Sequence, residues 1–170
     1  VAGTLYRPEG LDVPALLETR DRYCEINREA VPARVQRLDR DAILGMDVDI
    51  LVPAAISYAI TAENCARVTA PIVVEAANAA TTIDAELDLT ARGIAVLPDF
   101  VANAGAVAWA WWLILGEVDD QPEASFLRLS REMTAKVADL LTAWTPADGP
   151  IRWAADVSGI VREVPPVRVP

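Results

Sequence analysis

The sequence predicts an α/β fold: a mostly parallel sheet with flanking helices, followed by a carboxy-terminal helical segment. The main observation is a recurrence of short apolar runs, Asp49-Ile50-Leu51-Val52, Pro71-Ile72-Val73-Val74 and Gly93-Ile94-Ala95-Val96-Leu97. Their centres, Ile50, Val73 and Val96, are evenly spaced at 23 residues (73 − 50 and 96 − 73). Helix-like segments lie between them. Strand, short helix, strand is the pattern of parallel strands joined by crossovers, and strands buried on both faces are unbroken apolar runs. The spacing does not separate a dinucleotide-binding sheet from other doubly wound sheets.

Taken in order, residues 1–6 are extended and Pro8-Glu9-Gly10 makes a turn. Asp12 is placed to cap a helix reaching about Cys24, with Pro14 in its first turn and Leu16, Leu17 and Tyr23 facing inward. An arginine-rich stretch follows, with a short helix near 36–44. Thr61 precedes a helix over 62–68, and Thr81-Thr82-Ile83-Asp84 resembles a capping box before a helix over 85–92. Residues 101–115 form a nearly all-apolar helix with Trp109, Trp111 and Trp112 on more than one side, a pattern that demands burial. Asp119-Asp120-Gln121-Pro122 opens a long helix to about Trp144, with Phe126, Leu129, Met133, Val137, Leu140, Leu141 and Trp144 at helical spacing. Thr145-Pro146 stops it, and a last helix covers 152–161.

Composition narrows the function. The 170 residues are 53% hydrophobic and 24% charged, as in a folded globular protein. A net charge of −10 argues against nucleic acid or an anionic membrane as partner. The longest apolar stretch, Phe100 to Leu115, falls short of the ~20 residues that span a bilayer. Cys24 and Cys65 are read as small buried hydrophobes of a reducing compartment, and no leader-like start is seen, so a cytoplasmic location is expected. The absence of histidine removes Ser-His-Asp and Cys-His catalysis and histidine-ligated metals, and no metal site is expected. Lys136 is the single lysine, on an amphipathic stretch, and arginine cannot act as a base. The start at Val1-Ala2-Gly3 suggests a piece of a longer protein whose acid/base groups lie elsewhere.

Ligands of open parallel sheets bind beyond the carboxyl ends of the strands. That rule selects three loops, Pro53-Ala54-Ala55, Glu75-Ala76-Ala77-Asn78 and Pro98-Asp99. Small residues there allow close approach, and an amide such as Asn78 offers donor and acceptor. Asn103 is the sole strongly polar side chain of the apolar helix and needs a partner, either a ligand or a neighbouring loop.

At these loops the chain resembles the glutamate/leucine/phenylalanine/valine dehydrogenase family. Asp49-Ile50-Leu51-Val52-Pro53-Ala54-Ala55 is similar to the family's D-I-L-x-P-A-A, and residues 74–82 to V-E-G-A-N-x-P-T-T. Residues 98–107 resemble P-D-x-x-A-N-A-G-G-V, Tyr6 to Asp12 resemble Y-N-P-x-G-L-D, and Arg152-Trp153-Ala154-Ala155 resembles R-x-A-A.

The resemblance implies a Rossmann-like fold, incomplete at its amino-terminal end. Residues 1–116 would be a partial NAD(P)-binding domain lacking its first strands and glycine-rich loop, with 117–170 a helical segment packed on it. It implies oxidative deamination of an L-amino acid to its 2-oxo acid, with NAD or NADP as hydride acceptor. Pro53, Ala54 and Ala55 would flank the cofactor, Asn78 would reach the nicotinamide ribose, and Asn103 would face the nicotinamide or substrate. Val107 and Ala110 would line the substrate pocket. The catalytic lysines and the phosphate loop lie upstream of Val1 in the family. No catalytic residue is therefore expected here, and the chain alone should be inactive. Its partners would be the missing amino-terminal catalytic domain and further copies in a homo-oligomer. Glutamate is the expected substrate from 78–82, although Ala110 stands where glutamate-specific members usually carry serine. Ala76, Ala80 and Ala106 also depart from the family pattern. They motivate an alternative, a divergent non-catalytic nucleotide-binding or protein-interaction homologue. A standalone interaction module with a tryptophan interface is a third.

Overall fold

Residues 3–118 and 121–157 are described by the computed structural model, in two units, Val1–Met46 and Asp47–Pro170, taken separately. In the first unit, β1 (Thr4–Tyr6) opens the chain and α1 (Val13–Glu18) follows. The Asp12 carboxylate accepts from the Ala15 N–H at 3.1 Å, capping α1 as expected, with proline in the first turn. The helix then stops at Glu18 instead of reaching Cys24. Thr19 Oγ1 donates to the Leu16 carbonyl, and Asp21 accepts from the Tyr23 and Glu25 amides at 2.7 and 3.0 Å. That turn brings Arg20 back beside Ile26. Local side-chain bonds to the backbone thus compete with the helix and win. Leu16 is buried with Val31 and Val35, but Leu17 and Tyr23 are exposed, as is Cys24, contrary to expectation.

The helix expected near 36–44 is absent. β2 (Gln36–Leu38) instead pairs antiparallel with β1, Thr4 opposite Leu38 and Tyr6 opposite Gln36, and a 3₁₀ turn, Arg40–Gly45, follows. A partner strand from 30 residues upstream outweighs local preference there.

In the second unit the three apolar runs are strands β3 (Ile50–Leu51), β4 (Ile72–Val74) and β5 (Ala95–Leu97) of one parallel sheet in that order. Leu51 pairs with Val73 and Val73 with Val96, so the offsets are 22 and 23 residues (73 − 51 and 96 − 73). Val73 and Val96 sit buried at the centre. The strands add in one direction, as in one half of a doubly wound sheet. The Rossmann-like α/β expectation holds.

The crossovers are less regular than expected. Residues 62–68 contain only a 3₁₀ turn, Cys65–Arg67. Pro71 disfavours helix in the residue before it, and the Arg92 guanidinium takes the Cys65 and Val68 carbonyls at 2.9 and 2.5 Å in place of helical bonds. Cys65 itself is buried, as expected. α2 (Ile83–Ala91) begins after Thr82, whose side chain makes no capping bond, so the capping box is not formed. It ends at Gly93, φ +80°, where Ile94 N–H bonds to Leu89 O and Gly93 N–H to Thr90 O. Closing those carbonyls requires the left-handed backbone that glycine adopts without strain.

The expected 101–115 helix is two: α3 (Asp99–Ala102) and α4 (Ala104–Ile114), separated at Asn103 (φ −106°, ψ 3°). No α4 residue is fully buried; Val107 is 62% and Ile114 74% exposed. Apolar composition demands a cover, but within the described residues α5 (Pro122–Ala143) covers one side of α4 only. Gly105 faces Leu129, so close that an added Cβ would lie 3.3 Å away, and Arg128 stacks on Trp112 at 4.0 Å. Trp109 and Trp111 are exposed rather than core. A groove of about 790 Å³ opens between α4 and α5, lined among others by Gly105, Trp109, Phe126 and Met133.

α5 ends before Trp144, whose Nε1 donates to Gly149 O at 2.7 Å. Phe126 and Leu141, two of the apolar residues at helical spacing, are exposed. α6 (Ile151–Val157) is the last described helix; 158–161 lie outside the described residues. Leu97, Val101, Leu140 and Ile151 form the cluster that binds β5, α3, α5 and α6 together. Among the described residues no helix is long and apolar enough to cross a membrane.

Leu140 is 1% exposed and Leu127, on the same helix, 74%. Leu140→Ala is expected to lower unfolding free energy by about 2–5 kcal/mol in urea melts, and Leu127→Ala by less than about 0.5 kcal/mol. Equal effects would contradict the face assigned to α5.

Candidate functional site

The carboxyl ends of β3, β4 and β5 lie side by side, because parallel pairing brings successive strand ends to one edge. The ladder extends past the strands: Glu75 N–H donates to Leu97 O at 3.1 Å and Ala77 N–H to Pro53 O at 3.0 Å. The second bond joins the 53–55 loop to the 75–78 loop. Ala54 and Ala55 are exposed there and Pro53 half-buried.

Asn78 and Asn103 meet. Asn103 Nδ2 donates to Asn78 Oδ1 at 2.8 Å and more weakly to Ala76 O at 3.4 Å. Each amide has two kinds of polar atom. Among the described residues, Asn78 Nδ2 and Asn103 Oδ1 bond to no protein group. The pair therefore presents one donor and one acceptor at the sheet edge.

Val107 and Ala110 follow Asn103 at four and seven residues, so the three share one face of α4. Val107 and Ala110 are exposed and do not line the α4–α5 groove, which opens on another side of the helix. Asn103 thus joins the α4 face to the loops, but Val107 and Ala110 contact neither Asn78 nor the 53–55 loop through any hydrogen bond.

Behind the asparagines lies a charged network that sequence reasoning missed. Glu75 and Glu86 are both 0% exposed. Glu75 Oε1 accepts from Thr81 N–H at 2.6 Å; its Oε2 accepts from Asp99 N–H at 3.1 Å and from Arg152 Nη2 at 3.3 Å. Arg152 Nε also donates to Glu86 Oε2. Asp99 Oδ2 in turn accepts from Ala79 N–H at 2.8 Å. Each of the two loops thus supplies a carboxylate that takes a backbone N–H of the other. Ala79 is held at φ +48°, left-handed for an alanine, with its carbonyl accepting from Tyr58 N–H at 2.8 Å. The only sequence signal was a glutamate directly after an apolar strand, with one arginine in a carboxy-terminal motif to answer it.

Burial pushes the Glu86 carboxyl above its ordinary value; Arg152 opposes this, and the charges of Glu75 and Asp99 add to it. Burial, reinforced by Asp88, also raises the Cys65 thiol, which makes it a poor nucleophile. Among the described residues no cluster of three or more His, Cys, Asp or Glu is placed to hold a metal.

Comparison with known proteins identifies the family of the chain. The family model described as Glutamate/Leucine/Phenylalanine/Valine dehydrogenase matches residues 1–163. The catabolic NAD-specific glutamate dehydrogenase of Bacillus subtilis is 44% identical over 110 residues, 65% of this chain and 25% of that protein. The glutamate dehydrogenase of Aeropyrum pernix is 34% identical over 169 residues, 94% of this chain and 39% of that one. The hetero-hexameric glutamate dehydrogenase of Thermus thermophilus, in a leucine-bound form, superposes with a TM-score of 0.71 at 26% identity, covering 91% of this chain and 36% of that one. The chain spans roughly a quarter to two-fifths of the length of these relatives.

The raised Glu86 group gives a pH signature. Folded Glu86 keeps its proton at pH values where the unfolded chain, near 4.5, has lost it. The native state then binds more protons, so stability falls as pH rises from about 4.5 through the raised value. Melting temperatures across that interval should decline less steeply in Glu86→Gln than in the parent. Parallel profiles would show that Glu86 does not carry the effect.

Proposed function

Because the chain belongs to the glutamate/leucine/phenylalanine/valine dehydrogenase family, we propose that it is the cofactor-side portion of an amino-acid dehydrogenase. The enzyme would oxidatively deaminate an L-amino acid, glutamate first among candidates, to its 2-oxo acid, with NAD or NADP as hydride acceptor. The observation that carries this reading is the Asn78–Asn103 pair at the carboxyl edge, with one donor and one acceptor left open. A nicotinamide carboxamide, or a ribose hydroxyl, offers the complementary acceptor and donor. The exposed methyl groups of Ala54, Ala55 and Ala76 leave room for a flat ligand along the edge.

The bound nicotinamide would supply hydride-accepting chemistry; the residues here would bind and orient it. Asn78 Nδ2 would hold the ribose, and Asn103 Oδ1 the carboxamide or the substrate. Fixing the ring in this way sets which face meets the substrate α-carbon, and such positioning accounts for much of a hydride-transfer rate. The 53–55 loop would flank the cofactor. Val107 and Ala110, on the Asn103 face of α4, would border the amino acid's side chain. That exposed apolar face also suits closure against an amino-terminal catalytic domain. Both cofactors remain candidates: the Bacillus relative is named NAD-specific, and a Halobacterium salinarum glutamate dehydrogenase, 35% identical over 148 residues, is named NADP-specific. The alanines at 76 and 106 lie outside the positive-φ positions, so neither backbone position demands glycine. Residues 1–116 would form the partial cofactor domain and 117–170 its helical cover.

The chemistry requires a base that loses its proton near neutral pH, and Lys136 is the single lysine in the chain. The 170-residue chain is therefore expected to show no amino-acid dehydrogenase turnover. Turnover retained in Lys136→Ala would overturn the assignment of the acid/base groups to another part of the enzyme.

Asn103→Leu, in the enzyme carrying this chain with its catalytic portion, tests the site. Losing one hydrogen bond to a buried polar ligand group costs about 1–3 kcal/mol, so kcat/KM should fall roughly ten- to hundredfold. A residue that merely ties two loops together would give a clear loss of melting temperature with near-normal kinetics. That outcome would reject the cofactor role of Asn103.

A further inference from the structure

Nothing in the family resemblance assigns a role to the ions buried behind the two asparagines. Glu75 is the first loop residue after β4, and its carboxylate has three donors on three separate segments: Thr81, Asp99 and Arg152. Thr81 closes the same loop, Asp99 opens α3, and Arg152 stands on α6, 77 residues along the chain. Asp99 Oδ2 accepts from the N–H of Ala79, the residue next to Asn78. It also accepts Asn103 N–H on its backbone carbonyl at 2.8 Å. The Glu75 and Asp99 carboxylates therefore tie α3 to the Asn78 loop, alongside the Ala77–Pro53 and Tyr58–Ala79 backbone bonds. Arg152 is the cation that both buried glutamates touch.

From this geometry we propose that Arg152, acting through Glu75 and Asp99, is a positioning residue that sets the Asn78–Asn103 pair for the cofactor. The proposal rests on the cofactor reading for its consequence but not for its mechanics. With Arg152 in place, Glu75 is held where it accepts from Asp99 N–H, and the Asp99 side chain in turn accepts from Ala79 N–H. Without Arg152, two buried carboxylates face one another with no counter-charge, and one must take a proton or turn toward solvent. A displaced Glu75 loosens the Asp99 amide, and the Asn78 loop loses one of its anchors. Arg152 contacts neither asparagine, so its effect is indirect.

The test uses isotope-labelled 170-residue chain, comparing parent with Arg152→Met and Arg152→Lys at a temperature where each is folded. The lysine variant keeps the charge but cannot reach both carboxylates with a planar fork, and it keeps the proposal testable should the methionine variant fail to fold. Two readouts are taken: the side-chain amide resonances of Asn78 and Asn103, and their displacement on titration with NAD and with NADP. In the folded variants the Asn103 amide resonances should move to those of a solvent-exposed amide. Affinity for whichever dinucleotide the parent binds should fall about tenfold, equivalent to ~1.4 kcal/mol. A lower melting temperature with unmoved asparagine resonances would overturn the positioning role and leave Arg152 purely structural. Moved resonances with the dinucleotide affinity of the parent unchanged would uphold the positioning and reject the cofactor reading instead.

Discussion

Taking a carboxylate out of water costs several kcal/mol even after the protein relaxes. This chain does so twice around a single guanidinium, since Glu75 and Glu86 are both fully buried on Arg152. One arginine cannot neutralise two carboxylates, and the excess is met in two ways. Glu75 spreads its charge over two backbone N–H groups as well as Arg152. Glu86 has one oxygen without a protein partner among the described residues and holds its proton more tightly. Such clusters are poor sources of stability compared with an apolar core, but removing one member costs about 3–5 kcal/mol. What the cluster secures is geometry.

That geometry is useful because of where the sheet ends. Parallel strands must all run the same way, so their carboxyl ends emerge together and their loops need separate anchoring. An apolar contact would hold the loops near one another without fixing their rotation. Directional bonds from Glu75 and Asp99 to backbone amides fix it, and they tolerate the left-handed Ala79, a conformation costing about 1–2 kcal/mol. The Leu97–Val101–Leu140–Ile151 cluster places α6 beside β5, and so delivers Arg152 to the glutamates.

How far the sequence disclosed this depends on whether a feature is carried by a local pattern. The three strands were legible because burial on both faces leaves no room for polar residues, and the second offset matched the observed pairing of Val73 with Val96. α1 was overextended because Asp21 and Thr19 bond to nearby backbone, which composition does not weigh. β2 was misread because its partner lies thirty residues away. The all-apolar stretch after Asn103 did announce a surface to be covered, yet a burial demand does not name the body that meets it. In the candidate site, the loops and both asparagines were found from strand ends and amide chemistry. The pairing of Glu75 with Arg152 was not, since each alone resembles an ordinary surface charge and only the fold brings them together.

The distance along the chain between those two residues has a consequence for synthesis. Glu75 leaves the ribosome 77 residues before Arg152. At the usual ~5–20 residues per second, that delay is roughly 4–15 s. Over its last 49 residues (152 − 103) the strands and both asparagines exist, but the guanidinium that holds their loops has not been made. The nascent edge can bury its glutamates only as neutral acids or leave them wet, so the loops acquire their final form last. In this protein the carboxyl edge of the sheet matures from the carboxy-terminal side, although every side chain on it was made earlier.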